Sequence, residues 1–199
     1  VTFTIKPGAI VKFYDNYGRI DVQGTLKAIG AENEKIIFTS FSENPYPGIW
    51  KKIYFSPTSI DSELTNVIVE YAGAEDGQIG RSGIKVDQSL IILKDSLIKN
   101  NVYAGLYLDN SNSLIDNVQF IDNEPHCKDC YNQYGGMGIG VSAGTPAIKN
   151  SIFKKHKYGI QIRDGGVPIL ENLVFGTDDE ANDCNIFQET QCIDPVPTP

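Results

Sequence analysis

The 199-residue chain has no apolar run near the roughly 20 residues that a membrane-spanning helix needs. Positive charge is also in short supply. Seventeen Lys and Arg stand against 25 Asp and Glu, a net charge of −8. The long-range field of such a chain repels polyanions, which disfavours nucleic acids and anionic membranes as partners. No segment carries an apolar period of 3.6 residues, so a helical solenoid is excluded. There is no initiating methionine and no signal peptide, and Val1 reads as a mature or cut N-terminus. The last stretch, "IDPVPTP", alternates proline with other residues and reads as the start of a stiff linker over 194–199, implying a module of a larger protein.

What the chain does have is a repeat. "TNVIVEYAG", "KDSLIKNNVYAGLYL", "IDNVQFIDN", "KNSIFKKHKYGIQI" and "ENLVFGTDD" align on Asn66, Asp95, Asn117, Asn150 and Asn172, in steps of 29, 22, 33 and 22 residues. A second series, Gly83, Gly105, Gly138 and Gly159, opens the strands "GIKV", "GLYL", "GIGV" and "GIQI" in steps of 22, 33 and 21. Both series share a unit of about 22 residues with insertions at the same places, the signature of a stacked repeat.

Each unit contains two short strands of period two. In the first, Leu64, Leu93, Ile115, Ile148 and Leu170 form one inward column, and Val69, Ile98, Phe120, Phe153 and Phe175 another. In the second, the inward pairs are Ile20/Val22, Ile53/Phe55, Ile84/Val86, Leu106/Leu108, Ile139/Val141 and Ile160/Ile162. One unit cannot bury its apolar face alone, whereas stacked coils bury a continuous one.

This pattern of apolar-x-Asn-x-x-apolar followed by Gly-apolar-x-apolar resembles the right-handed parallel β-helix superfamily over about residues 18–176. The resemblance implies an all-β solenoid of one domain over 1–193. "FTIKPGAIVKF" serves as its opening coil, and the segment 177–193, which holds nearly all of "GTDDEANDCNIFQETQC", as a disulfide-pinned C-terminal cap. A β-sandwich is the alternative, but it would not keep a register-preserving period.

Many relatives with this fold cleave acidic polysaccharides, using paired carboxylates for hydrolysis or calcium with a basic residue for elimination. The outward row of the second strand reads Asp21, Tyr54, Lys85, Tyr107, Gly140 and Gln161, with no acidic pair on adjacent coils and no histidine. The Asn-Thr-Asp and Arg-Ile-Lys elements of polygalacturonase-like hydrolases and the Trp-Ile-Asp-His element of pectate lyases are missing. The expectation is therefore a non-catalytic module of the cell surface or extracellular space, for adhesion, polymer binding or rigid display. A polysaccharide lyase or hydrolase is the alternative.

Candidate ligand contacts are Tyr54, Lys85 and Tyr107 on that row, with Trp50 and Tyr134 in insertions, since aromatic faces complement sugar C–H groups. A second candidate is an outward apolar stripe in the first strand, Ile68, Leu97, Ile152 and Val174, broken by Gln119. It would contact a polymer or a partner protein. No cofactor is expected. Asp109, Asp116 and Asp122 with Asn110 and Asn123 could ligate calcium, but Asp and Asn also populate β-helix turns for backbone reasons. The four cysteines, Cys127, Cys130, Cys184 and Cys192, read as two local disulfides, with another connectivity or a zinc site as alternatives. His156 counts into a column with Asn101 and Asn123 and reads as a solvated turn.

Overall fold

The computed structural model describes residues 1–74, 80–123 and 136–193. It forms seven rungs of three strands each, wound so that like strands stack in parallel. Rung one is β1 (Thr2–Ile5), β2 (Ile10–Phe13) and β3 (Arg19–Val22), and rung two β4 (Thr25–Ile29), β5 (Ile36–Ser40) and β6 (Lys52–Phe55). Rung three is β7 (Ser62–Thr65), β8 (Val67–Glu70) and β9 (Ile84–Asp87), and rung four β10 (Ile91–Lys94), β11 (Leu97–Lys99) and β12 (Ala104–Asp109). Rung five is β13 (Leu114–Asp116), β14 (Gln119–Ile121) and β15 (Met137–Ser142), and rung six β16 (Ala147–Lys149), β17 (Ile152–Lys154) and β18 (Tyr158–Arg163). Rung seven is β19 (Ile169–Glu171), β20 (Val174–Phe175) and β21 (Cys184–Gln188), after which β22 (Gln191–Ile193) folds back antiparallel on β21. The first strands make sheet A, the second sheet B and the third sheet C.

The long first strand read from the sequence is thus two strands, one in sheet A and one in sheet B. The aligned polar residue lies between them. Asn66, Asp95, Asn117, Asn150 and Asn172 all have φ between 49° and 54°. Asn and Asp tolerate this left-handed conformation, and one such residue turns the chain without a loop. A second column at φ of 53° to 64° (Tyr71, Asn100, Asp122, Lys155) ends sheet B strands, and a third at 45° to 60° (Gln88, Asn110, Ala143, Asp164) ends sheet C strands.

The inward columns hold as read. Leu64, Leu93, Ile115 and Ile148 pair rung to rung in sheet A, and Val69, Ile98, Phe120, Phe153 and Phe175 in sheet B. Phe120 and Phe153 stack at 5.2 Å between ring centroids, Phe153 and Phe175 at 5.5 Å. Gly138 is required at the sheet C corner, because a Cβ there would lie 2.7 Å from the Phe153 ring.

The column that contains His156 is buried, which corrects the expectation of a solvated turn. Asn101, Asn123 and His156 are all sealed from solvent and form a ladder inside the corner between sheets B and C. Asn101 Nδ2 donates to Asn123 Oδ1 (2.9 Å), and Asn123 Nδ2 lies 3.2 Å from His156 Nε2. His156 Nδ1 and its backbone N–H both reach Asn182 Oδ1 at 3.1 Å. The ladder also satisfies backbone carbonyls: Asn101 donates to Val69 O, Asn123 to Ile98 O and Asn182 to Phe153 O. The ring is buried because its two nitrogens replace one asparagine's contacts to the rungs on either side. Burial pushes its pKa down to about 4.

The C-terminal segment carries the Cys184–Cys192 disulfide, which staples β22 to β21. Cys127 and Cys130 lie outside the described residues, as does the proline-rich 194–199 stretch.

Candidate functional site

The outward row of sheet C is in the register the repeat implies: Asp21, Tyr54, Lys85, Tyr107, Gly140 and Gln161 occupy consecutive rungs. At its N-terminal half the row is polar and partly exposed among the described residues. Arg19 and Asp21 form a two-pronged ion pair at 2.7 and 2.8 Å. The Tyr54 hydroxyl donates to Asp87 Oδ2 at 2.8 Å. Partial burial, then the hydrogen bond and charge of Asp87, push the Tyr54 phenol up to about 12. The Lys85 ammonium stands 3.9 Å from Asp109 Oδ2 and 5.8 Å from the Tyr107 ring centroid. Arg19, Lys52, Tyr54, Gly80 and Lys85 line a shallow depression here. Lys52 is buried beneath it and donates to the Gly80 carbonyl.

Beside this row runs a second outward column that sequence reading missed: Asp87, Asp109, Ser142 and Arg163, paired rung to rung. Asp87 and Asp109 are therefore carboxylates on adjacent coils, with the Lys85 ammonium 3.9 Å from Asp109 and the Tyr54 hydroxyl on Asp87. Asp109 is held above the usual carboxylate range by desolvation; Lys85 opposes the shift, while Asp87 and Asp164 add to it. Ser142 Oγ donates to Asp164 Oδ2 at 2.7 Å. The signal was in the sequence. "GIKVD" and "GLYLD" each place an Asp directly after the second inward residue, one repeat apart.

Several expected contacts fall elsewhere. Tyr107 is only 7% exposed and packs in a second apolar cluster with Ala104, Met137, Tyr158 and Cys184 on the outside of sheet C. Its ring and the Met137 sulfur lean over Gly140, where a Cβ would lie 2.7 Å from each. The C-terminal half of the row is therefore covered, and Gln161 is buried too. Trp50 is not a surface platform. It is fully buried, stacked on Phe13 at 3.9 Å, with Nε1 donating to the Glu70 carbonyl at 2.9 Å. Tyr134 lies outside the described residues.

The apolar stripe does form one column on the outer face of sheet B. Ile68, Leu97, Gln119, Ile152 and Val174 stack in register, and the column extends to Ile37 and Ile10. Val174 and Ile10 at its ends are about half exposed, while Ile68, Leu97 and Ile152 are partly covered. A polar column flanks it, with Thr39 donating to Glu70 at 2.8 Å and Lys99 pairing with Glu70 at 3.3 Å.

The five residues considered for calcium are not gathered. Asp109 and Asn110 end a sheet C strand, Asp116 accepts from Asn150 at the corner between sheets A and B, Asp122 ends a sheet B strand, and Asn123 is committed to the buried ladder. Among the described residues, no three His, Cys, Asp or Glu side chains come together as a metal site. No helix among them is long and apolar enough to cross a membrane.

Searches among curated proteins and among solved structures each returned no match. The family described as right handed beta helix region matches residues 11–175, from the first strand of sheet B to the last. With three parallel stacked sheets, inward apolar columns and one family match across most of its length, this chain belongs to the right-handed β-helix family.

Proposed function

We propose that this domain is a non-catalytic module of an extracellular or cell-surface protein, which displays a rigid strand face for contact with a polar polymer. The observation that carries the reading is the polar N-terminal half of the sheet C face. There Arg19, Asp21, Tyr54 and Lys85 stand in register over three rungs, and a seven-rung stack about 30 Å long holds them without a mobile backbone. Acidic and basic groups alternate and largely neutralise one another. This suits a ligand that both accepts and donates hydrogen bonds, such as a hydroxyl-rich chain. Among the described residues the face is shallow, where catalysis on a polymer ordinarily uses a cleft. A disulfide in the terminal rung fits an oxidising compartment.

Pull-down with insoluble and soluble polysaccharides tests this reading. Retention without products, weakened several-fold by Tyr54→Ala with Lys85→Ala, supports it. Retention unchanged in strength by both substitutions removes this face from the reading.

One observation favours a second reading, a hydrolase or lyase acting on acidic polysaccharide: the Asp87–Asp109 pair. Asp87 and Asp109 are paired across adjacent rungs, whose backbones lie roughly 4.8 Å apart, a spacing compatible with the roughly 5 Å carboxyl separation of retaining glycosidases. Asp109, held protonated to higher pH, has the character of a general acid. New reducing ends or unsaturated products, abolished by Asp109→Asn, would replace the first reading with the second.

A further inference from the structure

Four large aromatic side chains stand in solvent on two stacked loops that no strand-face reading uses. Loop 14–18 joins β2 to β3, and loop 41–51 joins β5 to β6 one rung above. The loops are tied at both ends, by Phe41 N–H to Phe13 O (2.8 Å) and Lys51 N–H to Gly18 O (2.9 Å). Tyr14 is 80% exposed, Tyr17 79%, Phe41 59% and Tyr46 61%. Tyr14 and Phe41 touch across the rungs, with ring centroids 5.7 Å apart.

Exposing this much aromatic surface is unfavourable in a folded chain unless something covers it. The loops beneath are braced by their own side chains. Asp15 accepts from Tyr17 N–H at 3.0 Å, Ser40 from Ser42 N–H at 2.9 Å and Ser42 from Asn44 N–H at 3.2 Å. The Phe13–Trp50 stack forms their buried floor. Such pre-ordering lowers the entropic cost of binding.

The chemistry of the patch selects among partners. Residues 14–18 and 41–48 contain no Leu, Ile, Val or Met, the aliphatic filler of a protein–protein core. The rings are fringed instead by short hydrogen-bonding side chains, Asp15, Asn16, Ser42 and Asn44. Flat rings edged by polar groups match a pyranose, whose axial C–H face is apolar and whose rim is hydroxyl. Locally Asp15 and Glu43 are balanced by Lys12 and Lys51, while the chain as a whole carries −8, which favours a neutral polymer over an acidic one.

We propose that the stacked loops 14–18 and 41–51 form a binding platform for neutral polysaccharide, with sugar rings lying on Tyr14 and Phe41. This site is separate from the sheet C face and does not rest on its reading. The test is retention of the intact chain on insoluble cellulose, mannan, xylan and chitin, with polygalacturonate as the anionic comparison. At about 1 M salt, where the Debye length falls to about 3 Å, retention on a neutral polymer is expected to be unchanged. Tyr14→Ala and Phe41→Ala should each weaken it by about tenfold, the scale of one lost stacking contact. Both positions are exposed, so far-ultraviolet circular dichroism should match the parent. In a background that carries Tyr54→Ala with Lys85→Ala, Tyr14→Ala and Phe41→Ala should still weaken the remaining retention by the same factor, which separates this platform from the sheet C face. No retention on any of the four neutral polymers, retention indifferent to both aromatic substitutions, or binding confined to protein targets would overturn the proposal.

Discussion

A single imidazole set among asparagines gives the domain a sensitivity to acid. In the neutral ring Nδ1–H donates to Asn182 and Nε2 accepts from Asn123, so a second proton would face an amide N–H. The folded-state pKa is about 4 against 6.5 for the free side chain. A lowered pKa means that the unfolded chain binds the extra proton first. The stability at stake is fully present above pH 6.5 and is lost as pH falls towards 4, a loss of roughly 3 kcal/mol. Denaturant melts between pH 7 and 4 should show that slope, and His156→Asn should flatten it while keeping the fold. An acid slope unchanged in the variant would mean that other groups carry it. The column itself was legible from counting five residues past Ser96, Val118 and Ser151. Its burial was not, because an asparagine at a turn looks the same in sequence whether it faces water or a neighbouring asparagine.

At the level of the strand and its corner, the conformational cost sits at a few named positions. The sheet C corner column is Asn110 and Asp164 on two rungs but Ala143 at φ 60° on the rung between them. An alanine in left-handed geometry costs about 1–2 kcal/mol, which asparagine partly avoids through its own backbone hydrogen bonds. Ala143→Asn should therefore raise stability by about 1 kcal/mol in urea melts. At Gly138 the opposite holds. Gly138→Ala drives a methyl into the Phe153 ring and should cost about 1–3 kcal/mol. These corners also explain which elements of the architecture could be read in advance. Inward columns repeat an apolar type and announce themselves, and glycine marks a close approach. The third sheet stayed hidden because one left-handed Asn turns the chain with no interruption of the apolar pattern. The candidate site was read only in some of its residues. Tyr54 and Lys85 follow from strand alternation, but Tyr107 shares their parity and is nonetheless covered. The Asp87–Asp109 column lies one step past the strand core that was counted.

For the molecule as a whole, stability is a sum over rungs that touch only their neighbours. Its ends matter because unpaired strand edges recruit other chains. In sheet C that edge is closed by β22, which turns antiparallel and is fastened to β21 by Cys184–Cys192. A cross-link closing a loop this short contributes about 2.5 kcal/mol in the chain-entropy account. Cys192→Ser should lower the midpoint of unfolding accordingly, and it should also promote concentration-dependent association visible by light scattering. Loss of stability with no association would show that sequence in the hairpin, rather than its fastening, guards the edge.

The Phe13–Trp50 stack has one more consequence. The chain's only indole sits sealed in the second rung, so its fluorescence reports a single address in a linear array. In a rod whose units detach in sequence, melting that starts at the far end would leave the emission unshifted while circular dichroism is already falling. The gap between the two curves would then measure, rung by rung, how far cooperativity reaches along the stack.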